Sequence, residues 1–555
     1  MKIKKIILEN VKSFKNRTEI NFKDDLNIFI GPNAGGKSNL FEIIQGLFND
    51  LIFERISINK LDSLDKPPYT IQKQGINYNF VNSEILDKFY GNENKSQNIT
   101  IQLGIEEEDI KNAKNIYNNK EKIYEVEKEQ TGESLITNII NSINFNDFDN
   151  LKNKILEIKL IDGIININSP SNKTHNDFFN YFKNLKIFAN FLNFYNFISK
   201  NKEKIEFNYN FIYVPPYRYS IEIGRKDRIN LSQSPAPVFY DQFNISQRTS
   251  FSLWDLVKNR IVENYFLKKN YENAFIKKYL KKFFNIDYQI NKFRELDNSF
   301  EIVFYRNQGK KSPKLSSGEK EFLNLIVLFF MTQIKDGVVM IDEPELHLHP
   351  KWQFYLLEMI EEFSEKLNIQ FFLVTHSPYF ITSKNIRNVY RVYSKKSVSN
   401  VVTPKKLNEN EKDLFMLVNI FNNTKVFFAD KLILVEGPID FIIYESILKR
   451  LQVDLKNSEI IEIIEVQAKG GIEKNKKFFE KWKIAVYGIV DNDKKINDEK
   501  IFVLKKIKIE EYFSEVLNKN HYEIEDALEI AKRIESGSLK IPKEMEEIFR
   551  KIIND

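Results

Sequence analysis

The sequence predicts an α/β protein of two or three domains, and three observations carry that prediction. An apolar run, Leu26-Asn27-Ile28-Phe29-Ile30, feeds directly into the glycine-rich stretch Gly31-Pro32-Asn33-Ala34-Gly35-Gly36-Lys37-Ser38. Two later apolar runs, Val338 to Ile341 and Phe371 to Val374, end in Asp342-Glu343 and in Thr375-His376. A further pair, Leu432 to Val435 and Ile484 to Val490, end in Glu436-Gly437 and in Asp491-Asn492-Asp493. Short, wholly apolar runs that alternate with helical periodicity mark parallel strands covered on both faces. In such sheets the ligand-handling residues gather at the carboxyl ends of the strands. A chain of 555 residues can bury two or three cores of this size.

Composition narrows the class. There is no cysteine, which excludes disulfides and thiolate zinc sites. Met1-Lys2-Ile3-Lys4-Lys5 runs straight into a strand, and no apolar run approaches membrane-spanning length. A cytoplasmic protein with no membrane partner is therefore expected. The net charge of +6 permits nucleic-acid binding without demanding it.

Taken in order, Ile3 to Asn10, Thr18 to Phe22 and Leu26 to Ile30 read as strands. The stretch from Gly31 to Ser38 has the form G-x-x-x-x-G-K-S, and a helix from Ser38 to Phe48 follows, with Leu40, Ile43, Ile44 and Leu47 on its buried face. A strand, a glycine turn and a helix N-terminus form a phosphate cradle: backbone N–H groups point at the phosphates and Lys37 adds charge. Ser38 supplies a hydroxyl for Mg²⁺; Asn33, Gly36 and Asn39 complete the binding set. Residues 51–205 are rich in Asn, Lys and Phe, and read as a helical arm or a dimerisation or recognition insert. The core resumes at Phe211 to Arg218, with a helix over Phe251 to Phe284 and a strand over Phe300 to Tyr305. Leu315-Ser316-Ser317-Gly318-Glu319 is a turn opening a helix from about Glu319 to Thr332, a second anion-binding N-terminus. Asp342 is placed to hold Mg²⁺, Glu343 to polarise the attacking water, and His376 to lie near the γ-phosphate.

On these residues the chain resembles the ABC-type ATPases, in the branch with DNA-repair and chromosome-maintenance proteins. The resemblance maps Lys37 and Ser38 to Walker A, Asp342 and Glu343 to Walker B, Ser316 and Gly318 to the signature motif, and His376 to the switch histidine. It implies ATP as cofactor and a homodimer in which the signature of one subunit closes on the ATP of the other. His347 and His349 form an H-x-H pair that could hold zinc. The resemblance instead places them in the dimer-contact loop, and that reading is preferred.

The second half begins after a polar connection. Glu436, Asp440, Asp491 and Asp493 sit at or just beyond apolar strands, and carboxylates so placed form a hard-oxygen site for Mg²⁺ or Mn²⁺. Two such ions could activate water and stabilise the leaving oxygen of a phosphodiester. This arrangement resembles a TOPRIM domain, and the resemblance adds Val466 to Gly471, a helix from about Glu473 to Trp482, and Glu510 or Glu511 as a further metal ligand. An ABC-type ATPase followed by TOPRIM resembles the OLD (overcoming lysogenization defect) family of nucleases, and effectors of the Gabija-like, retron-associated and fused PARIS-like anti-phage systems. The expected organisation is a split ATPase domain over 1–50 and 206–405, the insert over 51–205, a linker over 406–428 and TOPRIM over 429–555. The resemblance implies metal-dependent cleavage of nucleic acid under ATP control. DNA is favoured as substrate, with RNA or tRNA and a non-cutting scaffold as alternatives. A second defence-system component is a further expected partner.

Overall fold

The computed structural model describes residues 1–52, 55–60, 69–74, 95–162, 164–167, 173–198, 205, 207, 211–214, 216, 229–230, 261, 270–294, 299–306, 310–312, 315–332, 334–382, 384–403, 423–455, 459–466, 471–492, 498–517 and 522–555. Asp493, Arg218, Lys469 and residues 406–422 of the expected linker over 406–428 lie outside the described residues, whereas the end of that linker forms the helical turn Asn423–Phe428. The chain divides into two units: Met1–Phe29 with Gly36–Thr375 and Ser394–Asn400, and Ile30–Gly35 with His376–Tyr393 and Val401–Asp555.

The first unit is built on a parallel sheet in the strand order Leu26–Ile30, Gln370–Val374, Val338–Asp342, Phe211–Val214. Nearly every side chain of these strands is buried, because helices cover the sheet. Phe29 stacks on Phe372 with ring centres 6.2 Å apart, and meets Phe41 of the helix Lys37–Gly46 edge-on at 5.7 Å. These contacts seat the helix on the sheet and fix where its N-terminus lies. The helix Pro350–Leu367 starts with proline at its first turn, where no intrahelical N–H is lost. It stops at Asn368, which adopts a left-handed conformation with φ 50°.

The expectation of a helical insert over 51–205 is corrected in part. Helices do form over Glu107–Asn118, Lys120–Thr131, Leu135–Asn141, Lys173–Lys183 and Leu185–Ile198. The insert also supplies strands Asn98–Gly104, Ile155–Ile161 and Ile164–Ile167, which join Thr18–Asn21 and Lys2–Glu9 in a five-stranded antiparallel sheet. The reason is a period-two pattern: Ile99, Ile101 and Leu103 face Leu156, Ile158 and Leu160, all fully buried. The N-terminal strand would otherwise have an open edge, and the insert closes it.

The second unit holds a four-stranded, wholly parallel sheet in the order Ile461–Glu465, Lys431–Val435, Ala485–Val490, Ile501–Val503. Helices Pro438–Asp454, Ile524–Glu535 and Lys543–Asn554 share one core, in which Ile433, Tyr444, Ile447, Ile530, Ile534, Phe549 and Ile552 are buried. The last helix buries Met545, Ile548, Phe549, Ile552 and Ile553, the spacing of a single apolar stripe. The segment after the switch-histidine position joins this unit through Arg391, which is 1% exposed. Its guanidinium donates to the carbonyls of Phe427, Ala429, Trp482 and Lys483.

Candidate functional site

Of the residues that sequence reading assigns to nucleotide binding, Lys37, Ser38, Asp342 and Glu343 lie at or after the carboxyl ends of parallel strands in the first unit. Gly36 has φ 106° and precedes the helix that begins at Lys37. A Cβ on Gly36 would stand 2.2 Å from the Ser399 hydroxyl, so only glycine fits there. Ser399 in turn donates to Ser13 Oγ at 2.8 Å, and Asn39 Nδ2 donates to the same oxygen at 2.7 Å. Asn39 is thus tied to a serine pair that sequence reading did not anticipate. Lys37 is buried while Ser38 is exposed, as a hydroxyl free to meet an incoming ligand must be.

Asp342 ends its strand in register with Val374, one strand removed from Leu26–Ile30, and is buried. Glu343 leaves the strand with φ 49°, its N–H donating to the Val374 carbonyl at 2.9 Å. That left-handed turn gives Glu343 a different direction from Asp342, which two adjacent carboxylates with separate roles require. Thr375 donates to Glu345 Oε2 at 2.8 Å and ties the two strand ends together. His376 follows directly and is exposed.

At the helix Ser317–Thr332 the signature residues are capped reciprocally. Ser316 N–H donates to Glu319 Oε2 at 2.7 Å, and Glu319 N–H donates to Ser316 Oγ at 3.3 Å. Arg306 adds a bond to the same Glu319 oxygen at 2.5 Å. Glu319 therefore serves the helix end, and Ser316 and Ser317 are left exposed above it. A Cβ on Gly318 would lie 2.6 Å from the Trp352 ring and 2.7 Å from the His347 carbonyl. A glycine at 318 is thus required by close approach to Trp352 and the His347 carbonyl. His349 itself caps the next helix, Nδ1 accepting from Lys351 N–H at 3.3 Å.

In the phosphate-binding turn of the second unit, Gly31 has φ 137° and a Cβ there would overlap the Val392 carbonyl. Gly35 meets the same carbonyl, 2.6 Å from where its Cβ would stand. The turn lies directly against the strand that carries Arg391.

The acidic cluster of the second unit forms at the carboxyl ends of its two central strands. Glu436 follows Lys431–Val435 and Asp491 follows Ala485–Val490, and these strands are hydrogen-bonded neighbours. Asp440 sits in the first turn of Pro438–Asp454, where its Oδ2 accepts from Gly437 N–H at 3.0 Å. Burial, then the nearby Asp491, Glu510 and Glu436 charges, push the Asp440 carboxyl up to about 7, against the opposing Gly437 hydrogen bond. Asp440 thus feels three other sequence-named carboxylates, Asp491, Glu510 and Glu436. Excess negative charge of this kind on hard oxygen donors suits a divalent cation. Among the described residues no three acids converge into a finished ligand set, and Asp493 lies outside them. Sequence reading did not anticipate that Tyr512, two residues after Glu510, donates to Glu544 Oε2 at 2.6 Å. A polar cavity of about 800 Å³ elsewhere, lined by Glu107, Lys114, Asp149 and Lys335, includes none of the site residues.

A P-loop sheet with a carboxylate-ended strand, joined to a parallel α/β domain with an acidic strand edge, defines a two-domain class: an ATPase coupled to a TOPRIM module. Residues 215–382 match the family described as "AAA domain, putative AbiEii toxin, Type IV TA system". Residues 427–493 match the "Overcoming lysogenization defect protein-like, TOPRIM domain". The chain therefore carries an ATPase domain followed by an OLD-like TOPRIM domain.

Among known relatives, the OLD nuclease of Thermus scotoductus is 32% identical over 147 residues, covering 25% of this chain and 28% of the relative. The retron Vc95 probable ATPase of Vibrio cholerae is 33% identical over 130 residues, 23% of each chain. Endonuclease GajA of Bacillus cereus is 25% identical over 159 residues, 27% of each chain. The matches thus span about a quarter of the length of each of these relatives. Among the described residues no helix is long and apolar enough to cross a membrane.

Proposed function

We propose that this chain is an ATP-binding and ATP-hydrolysing protein that acts as a homodimer and regulates metal-dependent endonucleolytic cleavage of nucleic acid, DNA first, in cytoplasmic defence against phage. The observation that carries this reading is the placement of Glu436 and Asp491 at neighbouring strand ends, with the Asp440 carboxyl raised by burial and by the nearby charges of Asp491, Glu510 and Glu436. A Mg²⁺ or Mn²⁺ ion held by Glu436, Asp440, Asp491, Asp493 and Glu510 would supply Lewis acidity and a lowered water pKa. The chain's own contribution is to hold those oxygens at fixed strand ends.

In the ATPase domain, Lys37 and Ser38 bind the phosphates and Mg²⁺, Asp342 completes the metal shell, and Glu343 orients water. His376 senses the γ-phosphate, and Ser316 and Gly318 close the partner subunit's site. The open face of Ser316 and Ser317 supports this, since a completed intrachain site would cover them. A second component of the same defence system is part of the proposal.

The test incubates purified protein with supercoiled plasmid and, separately, with total tRNA, with Mg²⁺ or Mn²⁺, with and without ATP. Plasmid nicking that disappears in Glu436→Ala supports the reading. Cleavage of tRNA alone moves the substrate to RNA. Loss of neither polymer, with ATP hydrolysis intact, defeats the nuclease assignment.

A further inference from the structure

Between the strand Ile501–Val503 and the turn Ile509–Tyr512 runs a short loop, Lys505-Lys506-Ile507-Lys508, in which all four residues are exposed. A run of lysines on a loop is ordinarily a solvated surface, but this one is fastened in place. Its Lys505 carbonyl accepts from Asn492 Nδ2 at 3.0 Å, and Lys505 N–H donates to Glu544 Oε1 at 3.0 Å. Lys506 N–H donates to the Tyr512 hydroxyl at 3.0 Å, and that hydroxyl donates to Glu544. Lys506 Nζ folds back on the Glu511 carbonyl at 2.6 Å and over the Tyr512 ring.

The Lys505–Lys506 end of the loop is therefore fastened to Asn492, Tyr512 and Glu544, beside the acidic cluster. Asn492 adjoins Asp491, and Glu510 lies two residues beyond Lys508. Among the described residues neither Lys505 nor Lys508 has a side-chain hydrogen bond or an ion pair, although Asp491 and Glu510 flank the loop. Ile507, 59% exposed, projects between them. Exposed cations on a loop whose backbone is fastened beside a carboxylate cluster are arranged to meet a third party of negative charge. A phosphodiester strand running past the cluster fits: one phosphate at the acids through a divalent ion, its neighbours at the lysines.

We propose that Lys505 and Lys508 form the backbone grip of the nuclease domain, contacting phosphates adjacent to the scissile one, with the Asn492–Lys505 and Tyr512–Glu544 bonds holding the loop in register. The inference rests on the nuclease reading and names the part of the site that takes the polynucleotide. It engages backbone only, so it treats DNA and RNA by the same chemistry.

The experiment uses full-length Glu436→Ala protein, which cannot complete cleavage, and a fluorescein-labelled DNA duplex or the RNA duplex of the same sequence. Binding anisotropy is measured over a salt series. Introducing Lys505→Ala with Lys508→Ala is expected to reduce the slope of log affinity against log salt by about 2. Arginine at both positions should restore it, and unchanged thermal melting shows that the fold is retained. Comparing the two duplexes identifies which polymer supplies the phosphates. An unchanged slope overturns the grip, and so does a Glu436→Ala protein that binds neither duplex. Wild-type plasmid and tRNA cleavage, measured in parallel, tells whether the nuclease reading fails with it or stands alone.

Discussion

The guanidinium of Arg391 donates to the Ala429 carbonyl at 2.6 Å, in a place where the side chain is 1% exposed. Its other donors reach Phe427, Trp482 and Lys483, so one buried cation satisfies four carbonyls. Burial moves its pKa down to about 10, which leaves it charged at neutral pH. The charge is spread over carbonyl dipoles rather than set against a close carboxylate.

Arg391→Met keeps an apolar stem of similar length and removes every donor. It is expected to destabilise the second unit by about 2–4 kcal/mol, from carbonyls left without partners. Urea unfolding followed by tryptophan fluorescence reports this, because Trp482 lies in the same core. An unchanged midpoint would show that the four bonds contribute nothing net.

Asp440 gives a pH signature for the metal-free protein. Its folded pKa of about 7 lies well above the ordinary aspartate range, so near neutral pH the folded state retains a proton that the unfolded chain has released. Stability is then expected to fall as pH rises from about 4 to 7, and to level off above that. Asp440→Asn preserves an acceptor for Gly437 N–H and removes the charge. It should melt higher than wild type at pH 8, by on the order of 1 kcal/mol, and equal it near pH 4. Equal melting at both values would mean that the neighbouring acids do not act on Asp440.

Divalent ions should offset the same crowding. Mn²⁺ or Mg²⁺ is expected to raise the melting temperature of the wild-type second unit, and EDTA to return it. Asp491→Ala should abolish the rise. A rise that survives this substitution would place the ion elsewhere.

In the ATPase domain, Glu343→Gln should bind ATP normally and hydrolyse it about 10²-fold more slowly, whereas Lys37→Ala should fail to bind. Equilibrium binding of a fluorescent ATP analogue, run beside phosphate release, separates the two. Cleavage that is indifferent to Glu343→Gln would remove ATP turnover from control of the nuclease.

Gly318→Ala tests the close approach at the signature turn. Its Cβ would stand within 3 Å of both the Trp352 ring and the His347 carbonyl, so the loop must move. ATP hydrolysis should drop while ATP affinity at Lys37 is retained. Glu319→Ala should cost about 1–2 kcal/mol of helix stability through the lost cap and the lost bond from Arg306.

The sequence by itself determined the parts that depend on local pattern. Gly31 to Ser38 declared the cradle because the turn needs glycine where φ is positive, at Gly31 and Gly36. The apolar runs closing on Asp342, Glu436 and Asp491 declared parallel strands, since only strands buried on both faces are apolar at every position. Asn98–Gly104 and Ile155–Ile161 also carry a legible two-residue alternation, but Asn- and Lys-rich surroundings masked it, and which edge they close depends on pairing between residues over fifty apart. Only the tertiary structure decided that Glu319 caps its own helix, that Gly318 is held by Trp352, and that Lys505 is fastened to Asn492. Each of these is a contact between segments that no local periodicity encodes. The same reason leaves the altered acidity of Asp440, though not its place among the site carboxylates, silent in sequence: it arises from burial and from charges brought beside it by folding.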